Sequence, residues 1–155
     1  MSYHELLKNI YLFNDFSSDD LGPVLRICTP KQYNSNDVIF TQDDEAKSLF
    51  IVKSGSIRIL KAGKQGDEIE VGLLGAGSHF GEMPFLDGGR RSATAKAGEK
   101  SEIIQINYDD FMDFLATKPI IAMKIYRSLA IFLCGRLRIT TMDLSFSREQ
   151  NLTFF

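Results

Sequence analysis

Between residues 31 and 107 the chain alternates short apolar runs with turns that contain glycine, and this pattern limits the folds open to it. The apolar runs lie at residues 38–40, 49–52, 57–60, 69–74, 93–97 and 103–106. Several short strands at close spacing are typical of an all-β sandwich or barrel. The middle of the chain is therefore expected to form the β-rich core of the protein.

Helical patterns flank this core on both sides. Residues 3–13 carry apolar side chains at helical spacing, and Ser17 is expected to cap a second short helix that continues to Cys28. Another helix is predicted from Tyr108, and a long one over roughly residues 120–144, opened by a proline. The order of helices, strands and helices predicts an α+β fold.

Length, charge and cysteine content narrow the class of protein. The chain has 155 residues, which fits one domain, and a net charge of −2, which argues against a dedicated nucleic-acid surface. Its two cysteines, Cys28 and Cys134, lie on segments expected to be helical and indicate a reducing compartment. The N-terminus does not resemble a secretory leader, and no apolar run is long enough to cross a bilayer. We therefore expect a cytoplasmic protein that does not insert into membranes.

The glycine-rich segment of residues 75–97 is the strongest functional signal. Its glycines allow close backbone approach, and residues 83–86 are predicted to form a single helical turn. The Glu82 carboxylate can only accept hydrogen bonds, so it suits a pair of neutral hydroxyls such as those of a ribose. The planar guanidinium of Arg91 matches the oxygens of a phosphate. Together they predict a site for a ligand that carries both a sugar and a phosphate.

These residues resemble a known family. Residues 80–83, Phe-Gly-Glu-Met, followed by residues 91–94, Arg-Ser-Ala-Thr, are similar to the phosphate-binding cassette of cyclic nucleotide-binding domains. Such domains occur in catabolite activator proteins, protein kinase A regulatory subunits and cyclic nucleotide-gated channels. The resemblance implies a β-jelly-roll sandwich with flanking N-terminal helices, a short cassette helix and a long C-terminal helix.

The resemblance also implies a role for each cassette residue. Glu82 and the N–H group of Gly81 would hold the ribose 2′-hydroxyl. Arg91 and the N–H groups of Ser92 and Ala93 would hold the cyclic phosphate. The candidate contact residues of the cassette are Phe80, Gly81, Glu82, Met83, Arg91, Ser92 and Ala93.

Two positions depart from the family pattern. Pro84 stands where a small residue is common, and it removes one backbone donor near the ligand. Residues 42–44, Gln-Asp-Asp, stand where the family commonly has a Gly-Asp turn. Either Asp43 accepts a left-handed conformation, which aspartate tolerates better than most residues, or the turn differs.

The long C-terminal helix carries a second signal. Residues 136–141 resemble the segment of the catabolite activators in which an arginine and two hydroxyl residues reach the ligand. This adds Arg136, Thr140 and Thr141 to the candidate contact residues, with Arg136 and Thr140 on one helix face. Because threonine hydroxyls can accept from the adenine amino group, cAMP is favoured over cGMP. Cyclic GMP and cyclic dinucleotides remain open.

An enzyme is not expected. A metal-dependent cupin would share the jelly roll, but His4 and His79 are the only histidines and lie far apart in sequence. No Ser-His-Asp or Cys-His arrangement stands out. We expect no catalytic residue, no metal ion and no cofactor besides the nucleotide ligand.

The end of the chain bears on the output of such a receptor. A DNA-binding regulator would need a helix-turn-helix after the long helix, and residues 145–155 are too few to form one. We expect a cyclic nucleotide-binding domain over residues 1–144, a short aromatic tail over residues 145–155, and no DNA partner. The resemblance to the catabolite activators adds a homodimer through the long helix as an option.

Two functions remain open at this point. The chain is a stand-alone cyclic nucleotide receptor that acts in trans on an unidentified partner through its C-terminal helix. Alternatively, it is an interaction module that retains the fold and no longer needs a nucleotide. Glu82 and Arg91, taken as partly buried and unpaired, would cost stability without a ligand, which favours the receptor.

Overall fold

The computed structural model describes the backbone of residues 2–153 and the side chains of residues 2–146. The chain divides into two compact units, one up to Thr117 and the other from Lys118 onwards. The helices of the first unit are α1 Tyr3–Lys8, α2 Ser18–Arg26, α3 Met83–Asp87 and α4 Tyr108–Ala116. Its strands are β1 Cys28–Tyr33, β2 Val38–Phe40, β3 Ser48–Ser54, β4 Ile57–Ala62, β5 Glu68–Leu74, β6 His79–Phe80, β7 Thr94–Ala97 and β8 Ser101–Asn107.

The strands form two antiparallel sheets of four strands each. One sheet has the order β1-β8-β3-β6 and the other β2-β7-β4-β5. Most neighbouring strands are distant in sequence, which is the connectivity of a jelly roll. The core cluster draws on strands of both sheets and consists of Phe50, Val52, Ile57, Phe80, Ala95 and Ile103. The predicted α+β fold with a β-sandwich is confirmed.

Two strands were not predicted. The residues of β1 are mostly exposed and polar, and the strand contains Pro30, so it lacks the alternation that identifies a strand. It pairs with β8 at the edge of its sheet, where a proline is tolerated. Strand β6 has only two residues, His79 and Phe80, which are too few for a periodic pattern.

The first helix is shorter than its amphipathic pattern predicted. Ser2 and Glu5 form a capping box that starts α1, and the helix ends at Lys8. Residues 11–13 form a separate 3₁₀ turn. The apolar side chains of both pieces are nevertheless buried, so the pattern identified the buried face correctly and the continuity of the helix wrongly.

The second helix begins where predicted and ends earlier. Ser17 caps α2, and Asp20 completes a capping box. Because α2 ends at Arg26, Cys28 begins strand β1, and its predicted position on a helix is wrong. The Cys28 thiol donates to the carbonyl of Val24 at 3.2 Å, and burial raises its pKa to about 12. The thiol is therefore protonated at neutral pH.

The second unit is formed by helix α5, Pro119–Thr153. It starts at Pro119 as predicted but continues beyond Leu144, because residues 145–153 contain no glycine or proline that would stop it. The residues assigned to a tail are therefore helical as far as Thr153. Phe154 and Phe155 lie outside the described residues.

Helix α5 exposes a row of large apolar side chains in its second half. Each of these side chains is more than half exposed. A cluster of exposed apolar side chains usually marks a surface that contacts another molecule. They are Leu137, Ile139, Met142, Leu144 and Phe146.

Candidate functional site

The predicted cassette consists of a strand, a bend and a short helix. Strand β6 ends at Phe80, whose ring lies in the core cluster, and Gly81 turns the chain with a φ of 79°. Glu82 is the N-cap of α3, and Gly88 ends that helix in the left-handed conformation with a φ of 69°. The helical turn expected at residues 83–86 is confirmed.

Gly81 is required for space as well as for its backbone conformation. A Cβ atom at this position would lie 2.8 Å from Nη1 of Arg91, 3.3 Å from the Phe50 ring and 3.4 Å from the Ser48 carbonyl oxygen. Any other residue would push the Arg91 guanidinium out of place. The glycine therefore allows the guanidinium to contact the backbone directly.

Arg91 is 4% exposed, and three of its N–H groups donate to the protein. Nη1 donates to the Gly81 carbonyl at 3.1 Å and to the Tyr108 hydroxyl at 3.2 Å. Nη2 donates to the Ser48 carbonyl at 2.6 Å. Among the described residues, Nε has no hydrogen-bond partner. Since a guanidinium has five N–H donors, these three bonds leave Nε and one proton of Nη2 unused.

Three aromatic rings surround the Arg91 guanidinium. Its central carbon lies 4.0 Å from the ring centroid of Phe40, 5.6 Å from that of Phe50 and 5.9 Å from that of Tyr108. Burial lowers the pKa of Arg91, and interaction with Tyr108 opposes the shift. The group stays charged, because a guanidinium is not deprotonated in proteins. The site therefore holds a fixed positive charge in largely apolar surroundings, where attraction to an anion is strengthened.

A turn at residues 43–44 holds the backbone of Arg91. The N–H group of Asp43 donates to the Arg91 carbonyl at 2.9 Å, and the Arg91 N–H donates to the Asp44 carbonyl at 3.0 Å. The Arg90 side chain also donates to the Asp43 carbonyl at 3.1 Å. Asp43 has a φ of 72°, so it accepts the left-handed conformation, the first of the two predicted alternatives.

Glu82 is the second buried charged residue of the cassette, with 6% of its surface exposed. Its Oε1 lies 3.4 Å from Nδ1 of His79, a contact that becomes an ion pair when the histidine is protonated. The sequence-based assumption that Glu82 and Arg91 are unpaired is therefore wrong, since both have protein partners. What points to a ligand is the Nε atom of Arg91, not two unpaired charges.

The remaining cassette residues lie beside these two. The Ser92 hydroxyl is 3.6 Å from the sulfur of Met83, and both residues are exposed. Ala93 is buried and leads into β7. Pro84 is buried in the first turn of α3, where a missing N–H removes no bond within the helix. The structure thus collects the predicted residues from Phe80 to Ala93 in one cassette.

Sequence reasoning missed Tyr108 and Ser48. Tyr108 is the first residue of α4, and its hydroxyl donates to the Gly81 carbonyl while it accepts from Arg91. Burial raises the pKa of Tyr108 to about 12, so the hydroxyl remains a donor at neutral pH. Ser48 contributes a backbone carbonyl, which no side-chain pattern reveals. For Tyr108 the available signal was a tyrosine at an expected helix start, because a buried tyrosine hydroxyl usually finds a partner.

The three site residues predicted on the C-terminal helix lie in the second unit. The Thr140 hydroxyl donates to the Arg136 carbonyl at 3.0 Å, and the Thr141 hydroxyl donates to the Leu137 carbonyl at 2.8 Å. The guanidinium carbon of Arg136 lies 5.2 Å from the Phe132 ring centroid. Both hydroxyl protons are thus given to the backbone of α5, and each oxygen can still accept a bond. Ligand contact by these residues stays a prediction.

In the part of the chain that the structure describes, no three His, Cys, Asp or Glu side chains gather as a metal site would require. A separate observation concerns the helices within residues 2–153. None of them combines the length and the hydrophobicity needed to span a lipid bilayer.

The described residues form a jelly roll that carries a glycine-bounded helical turn with a buried glutamate and a buried arginine. Comparison with known proteins identifies the family. Residues 30–118 match the model of the family described as the cyclic nucleotide-binding domain, which is more than half of the chain. The chain therefore belongs to the cyclic nucleotide-binding domain family, and the resemblance in sequence is confirmed.

Individual relatives agree with this assignment. The cyclic AMP receptor protein of Thermus thermophilus is 32% identical over 148 residues, which cover 94% of this chain and 67% of that protein. The cAMP-activated global transcriptional regulator CRP of Salmonella typhimurium is 28% identical over 115 residues, which cover 74% of this chain and 53% of that protein.

The fold of a solved relative agrees as well. The crystal structure of the Thermus thermophilus catabolite activator protein matches with a TM-score of 0.77 at 32% identity, covering 88% of this chain and 62% of that one. The chain thus spans between about half and two thirds of these matched proteins.

Proposed function

We propose that this chain is a cAMP-responsive receptor domain that acts in trans on a partner protein through helix α5. The observation that carries the proposal is the Nε atom of Arg91, which lies buried without a partner among the described residues. A buried donor left unpaired costs about 1–3 kcal/mol, and a phosphate oxygen would remove that cost. Nε and the remaining proton of Nη2 suit the paired oxygens of a phosphate.

The sugar half of the proposed ligand faces Glu82. Its carboxylate is nine-tenths buried and lies in the same cassette as Arg91, so the site offers one acceptor group and one cationic donor group. An anion is repelled by the first and attracted by the second. A ligand that joins a free hydroxyl to a single phosphate satisfies both, and a cyclic mononucleotide has this composition.

The preference for cAMP draws on two kinds of support. The names of the Thermus and Salmonella relatives refer to cyclic AMP or cAMP, at 32% and 28% identity. On helix α5, the oxygens of Thr140 and Thr141 have donated their protons and can accept from an amino group such as that of adenine. Cyclic GMP and cyclic dinucleotides are the alternatives to be tested.

The apolar surface of α5 supports the proposed output. Five large apolar side chains between residues 137 and 146 are more than half exposed. Such a row on one helix suits docking of a partner protein or of a second copy of this chain. A cytoplasmic location remains a prediction from the sequence.

A thermal-shift panel tests the proposal. cAMP, cGMP and cyclic dinucleotides are each added, with linear 5′-AMP, which has the same base and ribose, as the control for the cyclic form of the phosphate. At 100 times its dissociation constant, a ligand that binds only the folded chain adds about 2.7 kcal/mol, which corresponds to a rise in Tm of roughly 5–10 °C. We expect this rise with cAMP, a smaller one with cGMP, and none with 5′-AMP.

The same panel identifies the alternatives. No shift with any cyclic nucleotide at about 1 mM would reject the receptor and favour the interaction module. A larger rise in Tm with a cyclic dinucleotide than with cAMP would indicate that the cyclic dinucleotide is the ligand.

A variant of Glu82 tests the sugar half separately. Glu82→Gln keeps the size of the side chain but removes the charged acceptor, so cAMP should bind about tenfold more weakly. With 2′-deoxy-cAMP, which lacks the hydroxyl, wild type and variant should bind alike. A difference that persists with the deoxy ligand would contradict the role of Glu82.

Hydrogen exchange with mass spectrometry tests the output. If α5 transmits the signal, cAMP must interact differently with two arrangements of that helix, so exchange should slow in residues 130–146 as well as in the cassette. Protection confined to residues 79–97 would place the output surface elsewhere.

A further inference from the structure

We infer that Tyr108 is a positioning residue of the nucleotide site, whose hydroxyl fixes the Arg91 guanidinium and the Gly81 peptide and connects both to helix α4. The inference rests on the proposed function for its ligand. Tyr108 lies outside the cassette, in the first residue of α4, and was not among the predicted site residues.

The hydroxyl of Tyr108 serves two partners at once. It donates its proton to the Gly81 carbonyl and accepts a bond from Nη1 of Arg91 at 3.2 Å. Nη1 also donates to the same Gly81 carbonyl at 3.1 Å. The three groups form a closed triangle of hydrogen bonds, so the guanidinium cannot rotate without breaking bonds to both Tyr108 and Gly81.

The triangle determines which donors of Arg91 are left to a ligand. Nη1 uses both of its protons on Gly81 and Tyr108, and Nη2 uses one on Ser48. Loss of the Tyr108 hydroxyl would release one proton of Nη1 and remove one of the three hydrogen bonds that orient the guanidinium. The hydroxyl thus directs Nε towards the ligand without touching the ligand itself.

The same hydroxyl also orients the peptide group of the bend. Because a trans peptide is planar, its carbonyl and the following N–H point in opposite directions. The Gly81 carbonyl points towards Tyr108 and Arg91, so the N–H group of Glu82 points away from them. One tyrosine hydroxyl therefore fixes the orientation of both the Arg91 guanidinium and the peptide group that follows Gly81.

The ring and the backbone of Tyr108 hold the hydroxyl in place. Its ring centroid lies 5.5 Å from that of Phe85 in α3. Its N–H group donates at 2.8 Å to the carbonyl of Lys47, the residue before Ser48, whose own carbonyl binds Arg91. A movement of the Arg91 guanidinium upon phosphate binding would therefore shift the hydrogen bonds of Tyr108, the first residue of α4.

A double-mutant cycle measured by calorimetry with cAMP tests this inference. Tyr108→Phe keeps the ring and removes the hydroxyl, and we expect it to weaken binding about tenfold. Combined with Arg91→Lys, which loses the fork that Tyr108 positions, the same change should alter affinity by less than about twofold. Tyr33→Phe, at a partly buried tyrosine of β1, is the matched control and should bind cAMP like wild type.

The NMR signal of the Arg91 Nε–H group provides a readout that needs no nucleotide. It should be sharp in the wild-type protein and broadened or shifted in Tyr108→Phe, but unchanged in Tyr33→Phe. If Tyr108→Phe does not fold, Tyr108→Met, an adaptable apolar side chain that also lacks the hydroxyl, replaces it in both measurements.

The outcomes separate the two proposals. If the wild-type chain binds no cyclic nucleotide, the proposed function fails, and an unchanged Nε–H signal would then overturn the positioning role independently. If wild type binds cAMP and Tyr108→Phe binds equally well, or loses as much affinity in the Arg91→Lys background, the inference is wrong while the receptor function stands.

Discussion

The cassette and helix α5 both carry predicted ligand residues, but they hold them in opposite ways. In the cassette, Arg91 and Glu82 are almost fully buried, and Arg91 is fixed by acceptors from three other segments of the chain. On α5, Thr140 and Thr141 are exposed, and their hydroxyls are bonded only to the helix that carries them. The fold therefore orders the cassette before any ligand arrives, whereas it leaves the threonines as surface groups.

This difference predicts a division of labour. Groups that are fixed and desolvated in advance contribute most to affinity, because binding does not have to order them. Exposed groups on a single helix contribute less and act mainly by discriminating between ligands. Substitutions in the cassette should therefore change affinity and stability together, and those on α5 should change selectivity alone.

The largest effect is expected at Arg91. Arg91→Ala removes the phosphate donor together with the bonds that Arg91 gives to the Gly81 and Ser48 carbonyls, so cAMP affinity should fall about hundredfold. The free energy of unfolding should drop by about 2 kcal/mol or more. Calorimetry and urea unfolding measure the two quantities.

Arg91→Lys is the matched control for charge. Lysine keeps the positive charge but lacks the planar fork, so about tenfold weaker binding is expected. Binding equal to wild type would show that charge alone suffices. It would contradict the idea that the ordered guanidinium of the cassette contributes most of the affinity.

Gly81→Ala should destabilise the folded chain most among the glycine changes considered. The new Cβ would lie 2.8 Å from Nη1 of Arg91 at a φ of 79°, so a loss of about 2–3 kcal/mol is expected. Gly66→Ala is the control, since Gly66 has a φ of 84° and, its two chain neighbours aside, no atom of the described residues lies within 4 Å of the position that its Cβ would take. It should cost only the conformational strain, about 1 kcal/mol. Equal losses in thermal unfolding would mean that the contact with Arg91 is unimportant.

The paired change Thr140→Val and Thr141→Val should alter selectivity. Valine keeps the shape and removes the hydroxyl oxygens, so the ratio of cAMP to cGMP affinity should move by about tenfold or less. The melting temperature without ligand should hardly change, because both residues are exposed. An unchanged ratio in competition calorimetry would indicate that the threonines are ordinary surface residues of the helix and do not contact the base.

The partly exposed ion pair between Lys53 and Glu102 should give the smallest effect on stability. Glu102 accepts from the Tyr3 hydroxyl at 2.8 Å and from Lys53 at 3.1 Å, and these contacts lower the pKa of Glu102. Because its pKa is lower in the folded chain, its stabilisation is present above the ordinary glutamate pKa and is lost as pH falls through the lowered value.

Glu102→Gln should therefore reduce the unfolding free energy at pH 7 by about 1 kcal/mol or less, given solvent screening. The difference from wild type should shrink in acid and leave cAMP affinity unchanged. A loss as large as that of Arg91→Ala would contradict the contrast between fully buried and partly exposed charges.

The sequence predicted most of the fold because local patterns dominate there. Apolar runs such as residues 49–52 and 103–106 became strands β3 and β8, and Ser17 capped its helix. Strand β1 was not predicted, because its pairing with β8 overrides its polar composition and Pro30. The end of α5 was predicted too early, although residues 145–153 contain no glycine or proline that would stop the helix.

The candidate site was predictable in its residue types and not in its bonding. The spacing of Glu82 and Arg91 in a glycine-rich segment identified the cassette. The partners of Arg91, however, come from Ser48 and Tyr108, which lie 43 and 17 residues away in sequence. Contacts of this separation depend on how the strands and α4 assemble, so no local pattern could reveal that the arginine is already engaged.

Pro84 has a consequence for the thermodynamics of ligand capture. As a proline it has one fixed backbone torsion, so the unfolded or loosened cassette has fewer conformations to lose, an effect worth about 0.4–1 kcal/mol at compatible positions. Pro84 is buried in the first turn of α3, and its carbonyl accepts a bond from Gly88 at 2.9 Å. The fixed torsion thus lowers the entropy cost of folding the cassette. The missing N–H leaves the proposed ligand one backbone donor fewer than alanine would offer at this position.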